Sequence, residues 1–250
     1  MEILLLIIAG VVVYFLYQEL NKYLKNPLSS SKYSKSSTYA KEYNIKEDPY
    51  VSEKMLDPME KFANTELGVM LAICAQFPNR QNMQEVYQVI MQDFTTKYLH
   101  EKGQDRALYA NEIDKMINGD FYKSDLIDLA KKFLTMSYAE YKKRLRFVEF
   151  LLLLIYLDGE IDEQEKEFLL DVAANLELDN QDFNEIYSIY EEKFKNLPKK
   201  ENNLDEVAKS HGFEDKEAYL KQRIDEIGLN IFGVKNPAIL DSALKIREIL

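Results

Sequence analysis

The segment IYLDGEIDEQEKEFL, from Ile155 to Leu169, carries the side chains best suited to chemistry in this sequence. We call residues 158–165 of this segment the acidic turn. Carboxylate oxygens are the ligands that hard divalent cations such as Ca²⁺ and Mg²⁺ prefer. The candidate ligands of a divalent metal ion are therefore the carboxylates of Asp158, Glu160, Asp162 and Glu165.

An EF-hand loop is the first specific calcium site to compare with the acidic turn. Gly159 and Glu165 would take positions six and twelve of such a loop. Positions one and three would then be Leu154 and Tyr156, and neither side chain offers the hard oxygen that calcium needs at those positions. The sequence therefore excludes an EF-hand.

The start of a helix is the second interpretation of the same residues. Asp162 followed three residues later by Glu165 is the pattern of a capping box, in which each side chain accepts a hydrogen bond from the other residue's backbone N–H. Gly159 suits the left-handed conformation that often ends a preceding helix. Helix capping and metal binding are thus two open interpretations of the acidic turn.

The rest of the sequence offers little further chemistry. It contains no phosphate-binding glycine loop, no Cys/His metal-binding spacing and no nucleophile motif. Its histidines are His100 and His211, and its one cysteine, Cys74, lies in an apolar stretch that is typical of an inert buried thiol. We therefore expect a protein that is not an enzyme and has no cofactor beyond a divalent cation at the acidic turn.

Apolar residues with helical spacing surround the acidic turn. Phe147 to Leu157 is the most apolar segment outside the N-terminus and predicts the central helix of a core. An amphipathic helix follows from Asp162, and an earlier pair, Leu67–Phe77 and Met83–Phe94, repeats this arrangement about 80 residues upstream. With eight glycines and six prolines, the sequence has few turn residues, which favours an all-α fold.

The N-terminus predicts a membrane anchor. Ile3 to Tyr17 is a run of fifteen residues without a charge, which as a helix would cover about 22 Å of the roughly 30 Å hydrocarbon core. We assign residues 1–20 to a transmembrane helix in the lipid bilayer and residues 21–54 to a flexible basic linker.

The linker predicts the orientation of that anchor. Between Leu20 and Lys41 the sequence has five lysines and no acid, and the positive-inside rule places such a segment in the cytoplasm. We therefore expect a single-pass protein of a bacterial inner (cytoplasmic) membrane with its body in the cytoplasm. Residues 55–198 are predicted to form the main helical domain, and residues 199–250 a small C-terminal helical segment.

The overall charge argues against one class of partner. The net charge is −11 and the isoelectric point is near 4.9. Such a surface repels phosphate backbones, so we expect no nucleic acid to bind.

Two segments of the body resemble a known family. The run LLLLIYLDGEIDEQE and the run LELDNQDFNEIY are similar to the tellurite-resistance TerB-like helical domain, and the similarity covers Glu60 to Lys195. The resemblance implies a helical bundle. It also implies a divalent metal, because some TerB-like domains hold one through acidic residues at these turns; here the ligands would be Asp158, Glu160, Asp162 and Glu165.

The layout of anchor, basic linker and TerB-like domain resembles the DnaJ-like membrane co-chaperones, whose anchor also leaves the body in the cytoplasm. Members of that family carry a J domain with an invariant His-Pro-Asp tripeptide that stimulates an Hsp70 ATPase. In this sequence His100 precedes Glu101 and His211 precedes Gly212, so neither histidine begins that tripeptide.

Three functions follow as expectations. The first is a membrane-anchored, non-enzymatic adaptor or scaffold with a cytoplasmic TerB-like domain, linked to chaperone recruitment or envelope stress, with an Hsp70-type chaperone as its cytoplasmic protein partner. The second is a DnaJ-like membrane co-chaperone that lacks its J domain or whose sequence here ends before it. The third is a sensor that binds a divalent metal at the acidic turn.

Overall fold

The computed structural model describes residues 14–18, 57–78, 83–119, 124–195, 197, 203–229, 231–232 and 238–250. The chain divides into two units, residues 1–55 and residues 56–250, and the interactions described below all lie in the second unit. All regular structure in the described residues is helical, without a strand, so the prediction of an all-α fold is confirmed for them.

The helices of the second unit are short to medium in length. In chain order they are α1 (Pro58–Ala63), α2 (Glu66–Ala75), α3 (Gln84–Glu101), α4 (Ala110–Asn118), α5 (Leu126–Met136), α6 (Tyr141–Ile155), α7 (Glu163–Asn175), α8 (Asn180–Lys195), α9 (Leu204–Ser210), α10 (Lys216–Ile227) and α11 (Ile239–Ile249). A 3₁₀ helix, Arg106–Tyr109, precedes α4.

The predicted transmembrane helix, residues 1–20, lies outside the described residues apart from residues 14–18, which are helical. The predicted linker, residues 21–54, lies outside them entirely. Within the described part of the chain, no helix combines the length and apolar character that crossing a membrane requires.

Two apolar helices, α2 and α6, occupy the centre of the second unit. Residues Leu67 to Cys74 of α2 are buried, and α6 is buried at Phe147, Val148 and continuously from Phe150 to Ile155. Both helices belong to one hydrophobic core. Burying a large apolar side chain stabilises the fold by about 1.5–3 kcal/mol, so these two helices supply much of the driving force for folding.

The helices around α6 pack against it through aromatic rings and aliphatic side chains. Phe150 of α6 lies 4.9 Å from Phe94 of α3, and Phe147 lies 5.0 Å from Phe133 of α5, measured between ring centroids. Helices α7, α8 and α11 also pack against α6. The C-terminal end of α6, where the acidic turn begins, is therefore held by several neighbours.

The C-terminal helices share this core. Helix α10 packs on α3, and α11 packs on α6, with Ile224 and Ile246 buried in the same cluster as α2. The boundary between a main domain and a C-terminal segment at residues 198 and 199 stays a prediction, because packing in one core does not decide whether the two parts fold separately.

A buried arginine joins two turns of the bundle. Arg144 of α6 donates hydrogen bonds from Nη1 to the carbonyl oxygens of Leu176 (2.6 Å) and Glu177 (3.1 Å), and from Nη2 to that of Ala139 (3.2 Å). Ala139 and Glu177 have positive φ angles of 52° and 54°, an unfavourable conformation for residues with a Cβ. Arg144 thus stabilises the turn before α6 and the C-terminal end of α7 together.

Candidate functional site

The acidic turn connects the C-terminal end of α6 to the N-terminal end of α7. Helix α6 ends at Ile155, and the backbone reverses through Gly159, whose φ is +90° and whose N–H donates to the carbonyl oxygen of Tyr156 (3.1 Å). One carboxylate oxygen of Asp158 accepts a hydrogen bond from the backbone N–H of Glu160 (3.1 Å). The turn is therefore closed by its own hydrogen bonds.

Asp162 and Glu165 form a complete capping box. Asp162 Oδ1 accepts from the N–H of Glu165 at 2.8 Å, and Glu165 Oε2 accepts from the N–H of Asp162 at 3.0 Å. Two backbone donors at the start of α7 are satisfied in this way. The capping interpretation of these two residues is confirmed.

Three of the four predicted metal ligands have other roles in this geometry. Asp158 bonds to the backbone inside the turn, and Asp162 and Glu165 bond to each other's backbone. No group of three or more His, Cys, Asp or Glu side chains among the described residues is arranged to hold a metal ion. A metal site at Asp158, Glu160, Asp162 and Glu165 stays a prediction; calcium titration calorimetry on the wild type and on Asp158→Ala would test it.

Glu165 is the most buried carboxylate of the turn. Its side chain is almost completely excluded from water, at 3% exposed. This burial raises the pKa of Glu165 to about 7; the hydrogen bond from the Asp162 backbone opposes the shift, and the nearby charges of Asp158 and Asp162 add to it. Near neutral pH the carboxyl of Glu165 is therefore close to its point of half-ionisation.

An arginine from the other end of the chain reaches the same turn. Arg247 of α11 is buried, and its Nη1 donates a long hydrogen bond of 3.5 Å to the carbonyl oxygen of Leu157. Its guanidinium lies over Gly159, where a Cβ would come within 3.1 Å of Nε and Nη2. Glycine is thus favoured at position 159 by the backbone angle and by the closeness of Arg247.

The positive charge of Arg247 affects the pKa of Asp158. Burial raises the pKa of Asp158, while the N–H of Glu160 and the positive charge of Arg247 lower it in part. Arg247 is therefore the cation that lowers the pKa of Asp158.

Sequence reasoning missed Arg247, although a signal for it exists. Arg247 follows Ala243 by four residues and precedes Leu250 by three, which puts it on the apolar side of an amphipathic helix. A charged residue in an apolar stripe is expected to be buried and to have a specific neighbour. The identity of that neighbour, 90 residues earlier in the chain, is not encoded in the pattern.

A cavity of about 400 Å³ lies beside the turn. Its wall includes Asp158, Gly159 and Arg247, and the end of α8 contributes Phe194 and Lys195. The candidate site is therefore formed by three separate parts of the chain: the acidic turn, α8 and α11.

The other residues with potential chemistry lie elsewhere. Cys74 is fully buried in α2, and burial raises the pKa of its thiol, which leaves it protonated; the prediction of a buried thiol is confirmed. His100 and His211 are exposed, at the end of α3 and immediately after α9.

Residues 65–188 match the family model of the tellurite resistance protein TerB. The match runs from the start of α2 into α8 and includes the acidic turn, so the predicted resemblance to the TerB-like domain is confirmed for this part of the chain. No curated protein matches the chain, and no solved structure matches it.

Proposed function

We propose, from the premise that residues 65–188 form a TerB domain, that this chain is a membrane-anchored, non-enzymatic adaptor. The proposal rests on one observation: the same chain contains an apolar run, Ile3 to Tyr17, a lysine-rich linker and the TerB domain. The apolar run favours insertion in a bilayer, and the lysines favour the cytoplasmic side for the domain.

The non-enzymatic part of the proposal is supported by how the polar groups of the domain are used. Asp162 and Glu165 cap a helix, Cys74 is buried as a protonated thiol, and the two histidines stand apart on exposed surface. Catalytic sites usually bring a nucleophile, a base and an orienting group within hydrogen-bond reach of one another. The adaptor would act by presenting its helical surface to another protein.

The partner we propose is an Hsp70-type chaperone at the cytoplasmic face of the inner membrane. The support for this is the layout of the sequence, which resembles the DnaJ-like membrane co-chaperones. The chain lacks the His-Pro-Asp tripeptide at both of its histidines. We therefore propose recruitment of the chaperone without stimulation of its ATPase.

Fractionation tests the anchor. The intact chain should stay in the membrane pellet after an alkaline wash, and a chain without residues 1–20 should be released. Val12→Lys is the matched single substitution and should weaken retention in the pellet, because a lysine at the centre of an inserted helix costs about 2.5–3.5 kcal/mol. Release of the intact chain by the wash would contradict the proposal.

Crosslinking from membranes tests the adaptor. The intact chain should capture an Hsp70-type chaperone, and the chain without residues 1–20 should capture much less of it from the membrane fraction. In a steady-state assay the purified chain should leave the Hsp70 ATPase rate unchanged. Strong stimulation would instead favour the co-chaperone function, and absence of the chaperone from the crosslinked material would remove this partner.

A further inference from the structure

Arg247 is a buried cation with few partners. Its side chain is 8% exposed, and its Nε has no hydrogen-bond partner in the described part of the chain. The bond from Nη1 to the Leu157 carbonyl oxygen, at 3.5 Å, is at the limit of a hydrogen bond. Buried guanidinium groups normally have anionic partners, so this group has unused capacity to bind an anion.

The cavity beside Arg247 has room for such an anion. Its volume of about 400 Å³ is within the range of small-molecule pockets. Ile161 and Leu197 form part of the wall, and both are only partly buried. The cavity thus combines a buried cation with an apolar surface that suits an apolar group of the ligand.

The charges of the wall restrict the ligand further. Lys195 adds a second positive charge, while Asp158, Glu160 and Glu191 contribute negative charges. A simple anion would meet three carboxylates, and a simple cation would meet Arg247 and Lys195. A small ligand that carries one positive and one negative charge can pair with the carboxylates and with the two cations of the wall.

We propose that this cavity binds a small zwitterion, an α-amino acid with an aromatic or other apolar side chain. The ligand carboxylate pairs with Arg247, its ammonium group faces the carboxylates of the wall, and its side chain packs against Ile161 and Leu197. This binding site is independent of the adaptor function, and its test does not depend on membrane attachment or on a chaperone.

Isothermal titration calorimetry of the full-length chain with three related probes tests the ligand class. The probes are L-phenylalanine, 3-phenylpropanoate, which lacks the ammonium group, and 2-phenylethylamine, which lacks the carboxylate. Each analogue should bind at least about tenfold more weakly than L-phenylalanine, because each loses one charged hydrogen-bonding group. No heat with L-phenylalanine at millimolar concentration, or equal binding of 3-phenylpropanoate, would overturn the proposal.

Two variants test the residues. Arg247→Gln should weaken L-phenylalanine binding at least about tenfold, while Arg223→Gln, at an exposed arginine paired with Glu226, should leave it unchanged. If Arg247→Gln does not fold, as judged by circular dichroism, Lys195→Gln replaces it and should weaken binding several-fold. Unchanged binding by a folded Arg247→Gln variant, or by Lys195→Gln in its place, would overturn the proposal.

Discussion

At the scale of single residues, Glu165 gives the fold a dependence on pH. Its pKa is about 7 in the folded chain, against an ordinary value of 4.5, chiefly because the side chain is buried. Between these two values the folded state holds a proton that the unfolded state has lost. The contribution of Glu165 to stability is therefore complete below pH 4.5 and is lost as the pH rises through about 7.

The variant Glu165→Gln should remove this dependence, because an amide oxygen still accepts the hydrogen bond from Asp162 and does not ionise. Relative to the wild type, its free energy of unfolding should increase by about 3 kcal/mol between pH 4.5 and pH 8, because each unit of pKa shift corresponds to about 1.4 kcal/mol. Urea denaturation followed by circular dichroism at several pH values measures this. Glu163→Gln, at an exposed position of the same helix end, should follow the wild type, and an equal gain there would refute the assignment to Glu165.

Gly159 allows the contact with Arg247 to be tested by substitution. Gly159→Ala should cost about 2 kcal/mol in unfolding free energy, from the left-handed backbone and from the approach of the new Cβ to the guanidinium. Gly103→Ala, with φ of +69° and open space around it, should cost about 1 kcal/mol from the backbone alone.

In the background Arg247→Ala, the two alanine substitutions should cost similar amounts in the same denaturation experiment. A cost at Gly159 that stays larger in this background would show that Arg247 is not its cause.

The acidic turn also shows which residue roles can be predicted from a sequence. The capping box of Asp162 and Glu165 depends on a spacing of three residues, so the sequence alone predicts it correctly. The positively charged neighbour of Asp158 is Arg247, which only the packing of α11 on α6 brings close to the turn. Local spacing identifies the first interaction and carries no information about the second.

At the scale of helices, Arg144 tests how turns are stabilised. Arg144→Met keeps most of the apolar volume of the side chain but leaves the carbonyl oxygens of Ala139, Leu176 and Glu177 without this donor. We expect a loss of about 2–4 kcal/mol in unfolding free energy. Denaturation with urea measures it, and Arg223→Met, at an exposed position of α10, should change stability by less than about 0.5 kcal/mol. Equal losses in the two variants would contradict the role of Arg144.

Most helices could be predicted because their apolar residues repeat with the helical period, as in α3 and α7, and α6 because of its long apolar run. Helix α1 was missed: its six residues are too few for a period, and its signals are the cap at Asp57 and the proline that follows. The neighbours of each helix could not be predicted, since an apolar stripe shows which face of a helix is buried but not which other helix packs against that face.

At the scale of the whole molecule, the shared core predicts cooperative unfolding. Helices α10 and α11 bury side chains in the same cluster as α2 and α6, so residues 56–250 should unfold in one calorimetric transition. Differential scanning calorimetry of the full chain should give one peak whose van't Hoff and calorimetric enthalpies agree. Two separate peaks would indicate that residues 199–250 fold as a domain of their own.

The contact between Arg247 and Leu157 has a consequence for the order of folding. It joins residues 90 positions apart, whereas the capping box joins residues three positions apart. Closing a long loop costs more entropy than closing a short one, so the hairpin of α6 and α7 should form early and Arg247 should dock late. Stopped-flow kinetics should then show that Arg247→Ala accelerates unfolding and leaves the refolding rate nearly unchanged.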